Sequence, residues 1–422
     1  MNKFLESIEK SIVQYNTCMI WNLKKLILVV GAVGLVCISG ALFFVQKNTV
    51  PQNGQSIDVY AKEMVELCKD SPYRPLCYEK EVPKLVSILP TERIFEVVRA
   101  IRTHDPEYLY CHVLAHNLGK YEVSLDPDSW LNVLATGPTD GLCSNGFAHG
   151  AIVTRFNDED LSKEEFDAAL GDLAIACEER EGFSPTELSK AICYHGIGHV
   201  LIHMTLAKVN ESLEACEIIS QKEDGRDYRQ VCTEGVYMQL FQPLEPEDFA
   251  LVDMLPYAPT KDNLKKFCSD FSSNDTQYGA CWREAWPLYG TSMYESDGIF
   301  EYCSALTPAQ DRESCFVSAF TINGRHGLGT PEKMAKTCNG VPEEYQGMCF
   351  ARGANAFPEE DPSLVKNGVA FCALATEEEA QNECYTFLAN VASFNFHPES
   401  PAFEELCSLL PSEFENRCRG SN

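Results

Sequence analysis

Imidazoles recur at helical spacing in the stretch C-Y-H-G-I-G-H-V-L-I-H, from Cys193 to His203. Residues four apart lie on one helix face, so His195, His199 and His203 form a stripe backed by Ile192, Val200 and Leu201. With a rise of about 1.5 Å per residue, His195 and His203 stand roughly 12 Å apart, too far to share an ion. His195 and His199, by contrast, have the spacing of a helical metal-ligand pair. Upstream, C-H-V-L-A-H-N-L-G places His112 and His116 on one face of a second helix, and C-S-N-G-F-A-H-G carries His149. Aligned on Cys143 and Cys193, His149 and His199 fill the same slot. Glycine returns three residues after Cys143, Cys193 and Cys232, as Gly146, Gly196 and Gly235.

Neutral imidazole is the commonest protein ligand for transition metals, and three to five around a pocket suit a site with an open position. The candidate ligands are His112, His116, His149, His195 and His199, with zinc or iron as the expected ion. Glu234, one residue before the recurring glycine, is the candidate catalytic acid or base. A metal-bound water there would be acidified towards neutrality and could act as a nucleophile. Gly196 and Gly198 each cost roughly 1 kcal/mol against alanine inside a helix. Either a close helix neighbour or a ligand held against bare backbone must offset that cost, which makes Gly146, Gly196 and Gly198 the candidate cofactor-contacting positions. The metallopeptidase motif H-E-x-x-H is absent, since Gly196 stands where its glutamate would be, and no G-x-S-x-G or phosphate-binding loop occurs. Two other readings compete: histidines packed as satisfied core residues, and a haem or other cofactor box. His104, His326 and His397 read as ordinary, and His203 as a core or supporting residue.

The chain that must position these groups has 422 residues with 62 acidic and 34 basic side chains. A net charge of −28 repels phosphate backbones and argues against nucleic-acid binding. Residues 26–45 are free of charge for twenty positions, the length needed to cross a bilayer. Lys3, Lys10, Lys24 and Lys25 precede this stretch and only Lys47 closely follows, so the expected topology is single-pass with a cytoplasmic N-terminus. A cleaved signal peptide is the rival reading. The expected organisation is a cytoplasmic tail (1–25), a transmembrane helix (26–45), a linker (46–57), a histidine-rich helical domain (58–250) and cysteine-paired helical repeats (251–422), the bulk lying outside the cell membrane.

Helical periodicity covers 58–70, 91–103, 107–121, 163–180 and 186–207, and Ser184-Pro185 marks a helix start. Setting aside Cys18 and Cys37, eighteen of the twenty cysteines follow the span, an even number that suits disulfides in an oxidising compartment. No C-x-x-C occurs, which removes zinc ribbons, thioredoxin-type redox centres and covalent haem attachment. From Cys177 onward they fall in pairs: 177 and 193, 216 and 232, 268 and 281, 303 and 315, 338 and 349, 372 and 384, 407 and 418. The later pairs repeat every 34 or 35 residues. All-helical content at that step predicts an all-α, disulfide-stapled solenoid of helix-turn-helix units. Each pair is expected to clamp one turn, contributing about 2–4 kcal/mol; bridges between adjacent repeats are the alternative. Elimination pairs Cys68 with Cys77 and Cys111 with Cys143. The D-E-D run near Asp158 and the E-E-D run near Glu360 read as solvated turns.

From Cys268 to Cys418 the cysteine placement resembles the disulfide-stapled relatives of tetratricopeptide repeats found in exported bacterial proteins. Between Tyr110 and Leu240 the motifs C-H-x-x-x-H-x-x-G, G-x-x-H-G, C-x-H-G-x-G-H and C-x-x-G-V-x-M resemble a group of predicted membrane or exported bacterial proteins without an assigned activity. Two functions remain open: a membrane-anchored metalloprotein with a histidine-lined pocket, catalytic or not, and a non-enzymatic scaffold whose repeat surface binds a protein or a cell-envelope polymer. The expected partners are the lipid bilayer, through one helix, and such a surface ligand.

Overall fold

Three-to-four spacing of apolar residues becomes helix along the whole of the computed structural model, which describes residues 56–106, 108, 111–138, 142–156, 162–222, 225–243, 246–304, 306 and 309–420. The expected tail and membrane span lie outside these residues, as does the D-E-D run. Among the described residues no helix is long and apolar enough to cross a membrane. They contain no strand, only isolated bridges between Arg180 and Phe183 and between Gln221 and Asp227.

The helices in order are α1 (Ile57–Cys68), α2 (Arg74–Glu81), α3 (Thr91–His104), α4 (His112–Leu125), α5 (Trp130–Leu134), α6 (Gly146–Phe156) and α7 (Lys163–Ala176). There follow α8 (Glu187–Met204), α9 (Val209–Ile219), α10 (Arg229–Phe241), α11 (Pro246–Met254), α12 (Leu264–Asp270), α13 (Asp275–Glu284) and α14 (Ser296–Ser304). The last are α15 (Ala309–Gly327), α16 (Pro331–Gly340), α17 (Glu343–Glu360), α18 (Val365–Cys372), α19 (Glu378–Asn395), α20 (Pro401–Leu409) and α21 (Ser412–Cys418). Local chemistry fixes several starts. Ser162 and Glu165 form a reciprocal capping box on α7, and Ser400 caps α20. The start expected at Ser184-Pro185 falls two residues later, because the Thr186 hydroxyl, not Ser184, accepts the Ser189 amide at 3.1 Å.

All nine expected disulfides are present, including Cys68–Cys77 and Cys111–Cys143. From Cys177 onward each joins the two helices of one hairpin. Their Cα–Cα distances of 5.4 to 5.7 Å show that one geometry recurs unit after unit. The second helices of successive hairpins stack side by side, so that α4, α6, α8, α10, α13, α15, α17, α19 and α21 form a continuous row. Residues 53–422 make one compact unit.

The row also meets itself. Helix α17 reaches the 142–145 turn ahead of α6, α19 touches α8, and His397 Nε2 donates to the Ser184 carbonyl at 2.9 Å. A buried ion pair seals this closure: Arg102 of α3 grips Glu360 at 2.9 Å and also Asp361, while the Cys111 amide donates to Glu360 at 3.3 Å. Glu360 and Asp361 are 2% and 1% exposed, which corrects the reading of that acidic run as a solvated turn. A partner 258 residues away in sequence was needed to bury it.

Two kinds of glycine sit in these helices. A Cβ on Gly235 would lie 1.9 Å from the His195 carbonyl oxygen, whereas one on Gly171 meets nothing within 4 Å. Gly171→Ala should therefore stabilise the protein by up to about 1 kcal/mol through helix propensity. Gly235→Ala should destabilise it by about 1–3 kcal/mol by wedging α8 from α10. Thermal melts of the two variants check the opposite signs.

Candidate functional site

Glycine sets how closely the site-bearing helices approach. Cβ atoms on Gly146 and Gly150 of α6 would come within 2.2 and 1.9 Å of the carbonyl oxygens of His112 and His116 on α4. One on Gly198 would lie 2.0 Å from the Cys232 carbonyl of α10. Of the two explanations the sequence offers for Gly146 and Gly198, the structure places a neighbouring helix there. Gly196 differs: its missing side chain leaves room for the His149 ring, whose Cδ2 would stand 2.2 Å from a Cβ.

Backbones this close bring four rings from three helices together. The centroid of His149 is 5.0 Å from His112, 5.3 Å from His199 and 6.0 Å from His195, and His195 lies 5.0 Å from His199. His149 is buried and the other three keep part of their surface open. His116 sits beside them on α4, within electrostatic reach of His199 and Asp248. His203 turns to Asp248 at 3.3 Å, consistent with a supporting place. His104 pairs with Asp58 at 2.6 Å, and His326 stacks edgewise on Trp286 and Tyr294.

One nitrogen of several rings is already committed to a protein acceptor. His149 Nε2 meets the Ile192 carbonyl at 3.3 Å, His112 bonds the Cys143 backbone, and His199 Nδ1 meets Gln239 Oε1 at 2.5 Å. An amide oxygen only accepts, so Nδ1 of His199 carries the proton and Nε2 keeps its lone pair. That Nε2 is buried and has no hydrogen-bond partner among the described residues. His195 Nε2 faces the Met238 thioether sulfur at 3.2 Å.

Burial holds these rings neutral. Loss of water, reinforced by neighbouring histidines, takes His112 down to about 3 and His116 to about 4. His199 falls to about 4, and His149 and His195 lie well below the ordinary imidazole value. At neutral pH every one offers a lone pair. Yet among the described residues no three His, Cys, Asp or Glu side chains converge closely enough to hold a metal ion as they stand.

Glu234 forms an ion pair with Arg283 at 2.6 Å and accepts from Gln230 at 3.1 Å, so it is engaged rather than free to move protons. The carboxyl that holds a proton near neutrality is Glu284, pushed up to about 8 by burial and then by the Glu234 charge. Gln242 donates to it at 3.2 Å. Arg325 acts electrostatically on Glu284 and also on His112 and His195. Compared with known protein families, curated proteins and solved structures, the chain matches none of them. The geometry alone must carry a function.

Sequence reasoning missed Gln239, Met238, Glu284, Asp248 and Arg325. Glu284 follows Cys281 by the same three residues that separate Gly235 from Cys232, a signal hidden because a glutamate there replaces the recurring glycine. Asp248 and Arg325 carry no such mark.

Proposed function

We propose that this chain is an extracytoplasmic, membrane-anchored helical-repeat protein whose histidine group takes up a transition-metal ion. His199 carries the reading. An imidazole fixed through Nδ1 by Gln239, with its buried Nε2 lone pair left unpartnered, has the arrangement that metal-binding histidines adopt with a supporting acceptor. Three further neutral rings stand within 6.0 Å, centroid to centroid, of at least one other member of the group. His195 and His199, one turn apart on α8 with ring centroids 5.0 Å apart, are the pair whose nitrogens one ion would join. Nine disulfides support an oxidising compartment, and the charge-free stretch at 26–45 supplies the anchor.

The full chain, purified in detergent with disulfides intact, is expected to carry about one transition-metal ion per molecule by mass spectrometry. The double variant His195→Ala/His199→Ala is expected to lose it while far-ultraviolet dichroism stays helical. Ion-free protein whose melting temperature ignores a strong chelator would refute the proposal. A scaffold role is the second reading, favoured by an open groove of about 530 Å³ between hairpins where half-exposed Phe300 lies beside Asp297 and Glu301. Cross-linking of a cell-envelope partner to that groove, with the histidines dispensable, would support it instead.

A further inference from the structure

The slot six residues beyond the second cysteine of each clamp holds His149 on α6, His199 on α8 and then Met238 on α10. Three adjacent helices of the row thus present, at equivalent positions, two imidazoles and a thioether. Met238 is half-buried, and its Sδ lies 3.2 Å from His195 Nε2. We infer that Met238 is a metal ligand and that, with His195 and His199, it forms a low-coordinate soft site selective for cuprous copper. This rests on the proposed metal site and names its ion.

The donor chemistry points away from zinc or iron. A thioether is soft, carries no proton and binds hard ions poorly, whereas thioether and imidazole together suit Cu(I). Two imidazoles on one ion, at ~2.0 Å per metal–nitrogen bond, set their centroids roughly 5 Å apart, and His195 and His199 stand 5.0 Å apart. The nearby carboxylates are otherwise engaged: Glu234 by Arg283 and Asp248 by His203. Without an anionic ligand, a singly charged ion costs less to desolvate in this buried place than a divalent one.

The test uses the full chain in detergent, without oxygen, and with ascorbate in place of thiols so that the disulfides survive. Cu(I) affinity is measured by competition with bicinchoninate and Zn(II) affinity by competition with a chromophoric chelator, for wild type and Met238→Leu. Leucine matches methionine in volume, so the fold is expected to persist. Met238→Leu should weaken Cu(I) by about tenfold or more while leaving Zn(II) unchanged. X-ray absorption at the copper edge should show a sulfur neighbour in the wild type and none in the variant. Unchanged Cu(I) affinity in Met238→Leu, or binding of Zn(II) alone, would overturn the cuprous assignment and leave the metal site standing. Failure of the wild type to bind either ion would overturn the metal site itself.

Discussion

Stripped of ions by a strong chelator, the protein should lose stability steadily as pH falls below about 6.5. The sign follows from the burial of five imidazoles. In the unfolded chain each takes a proton near pH 6.5, whereas in the folded protein His112 holds off until about 3 and His116 and His199 until about 4, with His149 and His195 also far down. Between these values the unfolded chain binds more protons, and acid favours it. Above 6.5 the rings are neutral in both states and the effect vanishes. Each ring contributes about 1.4 kcal/mol per pH unit. Glu284 works the other way, because its raised value lets the folded state take up a proton first as pH drops from about 8. The net is an order of magnitude of four rings, roughly 5 kcal/mol per unit. Urea midpoints taken from about pH 7 to about pH 5 should fall steeply, and a flat series would contradict the burial of the rings. His149→Gln combined with His199→Gln should flatten the slope.

Arg102→Ala should cost about 3–5 kcal/mol, the penalty for taking the forked guanidinium from two buried carboxylates, with Arg99 at 4.0 Å from Asp361 too distant to replace it. The loss goes beyond one ion pair, since this contact seals α3 to the end of α17. Arg102→Lys should recover only part of it, because an ammonium cannot fork across two carboxylates as a guanidinium does. Urea unfolding measures the energy, and small-angle scattering should show Arg102→Ala expanded before it unfolds. Wild-type dimensions together with wild-type stability would remove Arg102 from this role.

What the sequence disclosed was local. Disulfide pairing from Cys177 to Cys418 was legible because each clamp spans only 11 to 16 residues, and from Cys268 onward the clamps recur at a 34- or 35-residue step. The meeting of His149 with His199 was legible for a related reason: equivalent slots on stacked helices must face the same way. What stayed hidden depends on closure. Glu360 and Asp361 look like any acidic surface run until the Arg102 guanidinium, from 258 residues upstream of Glu360, is brought against them. Glu234 stood out by its place before the recurring glycine, whereas its partner Arg283, on the next helix of the row but 49 residues on, has no visible link to it in the sequence. Met238 closed the C-x-x-G-V-x-M motif without any mark of its own, since methionine at helical spacing most often fills core.

Most helical-repeat chains are open-ended, and lineages lengthen or shorten them by duplicating or deleting units. The clasp between Arg102 and the Glu360–Asp361 pair forbids that freedom here. Removing one hairpin would carry the two acids out of reach of their cation, and inserting one would overshoot it. Descendants of this chain should vary freely in surface residues and loop lengths yet keep the same tally of units between the two halves of the clasp, as a buckled belt keeps its hole.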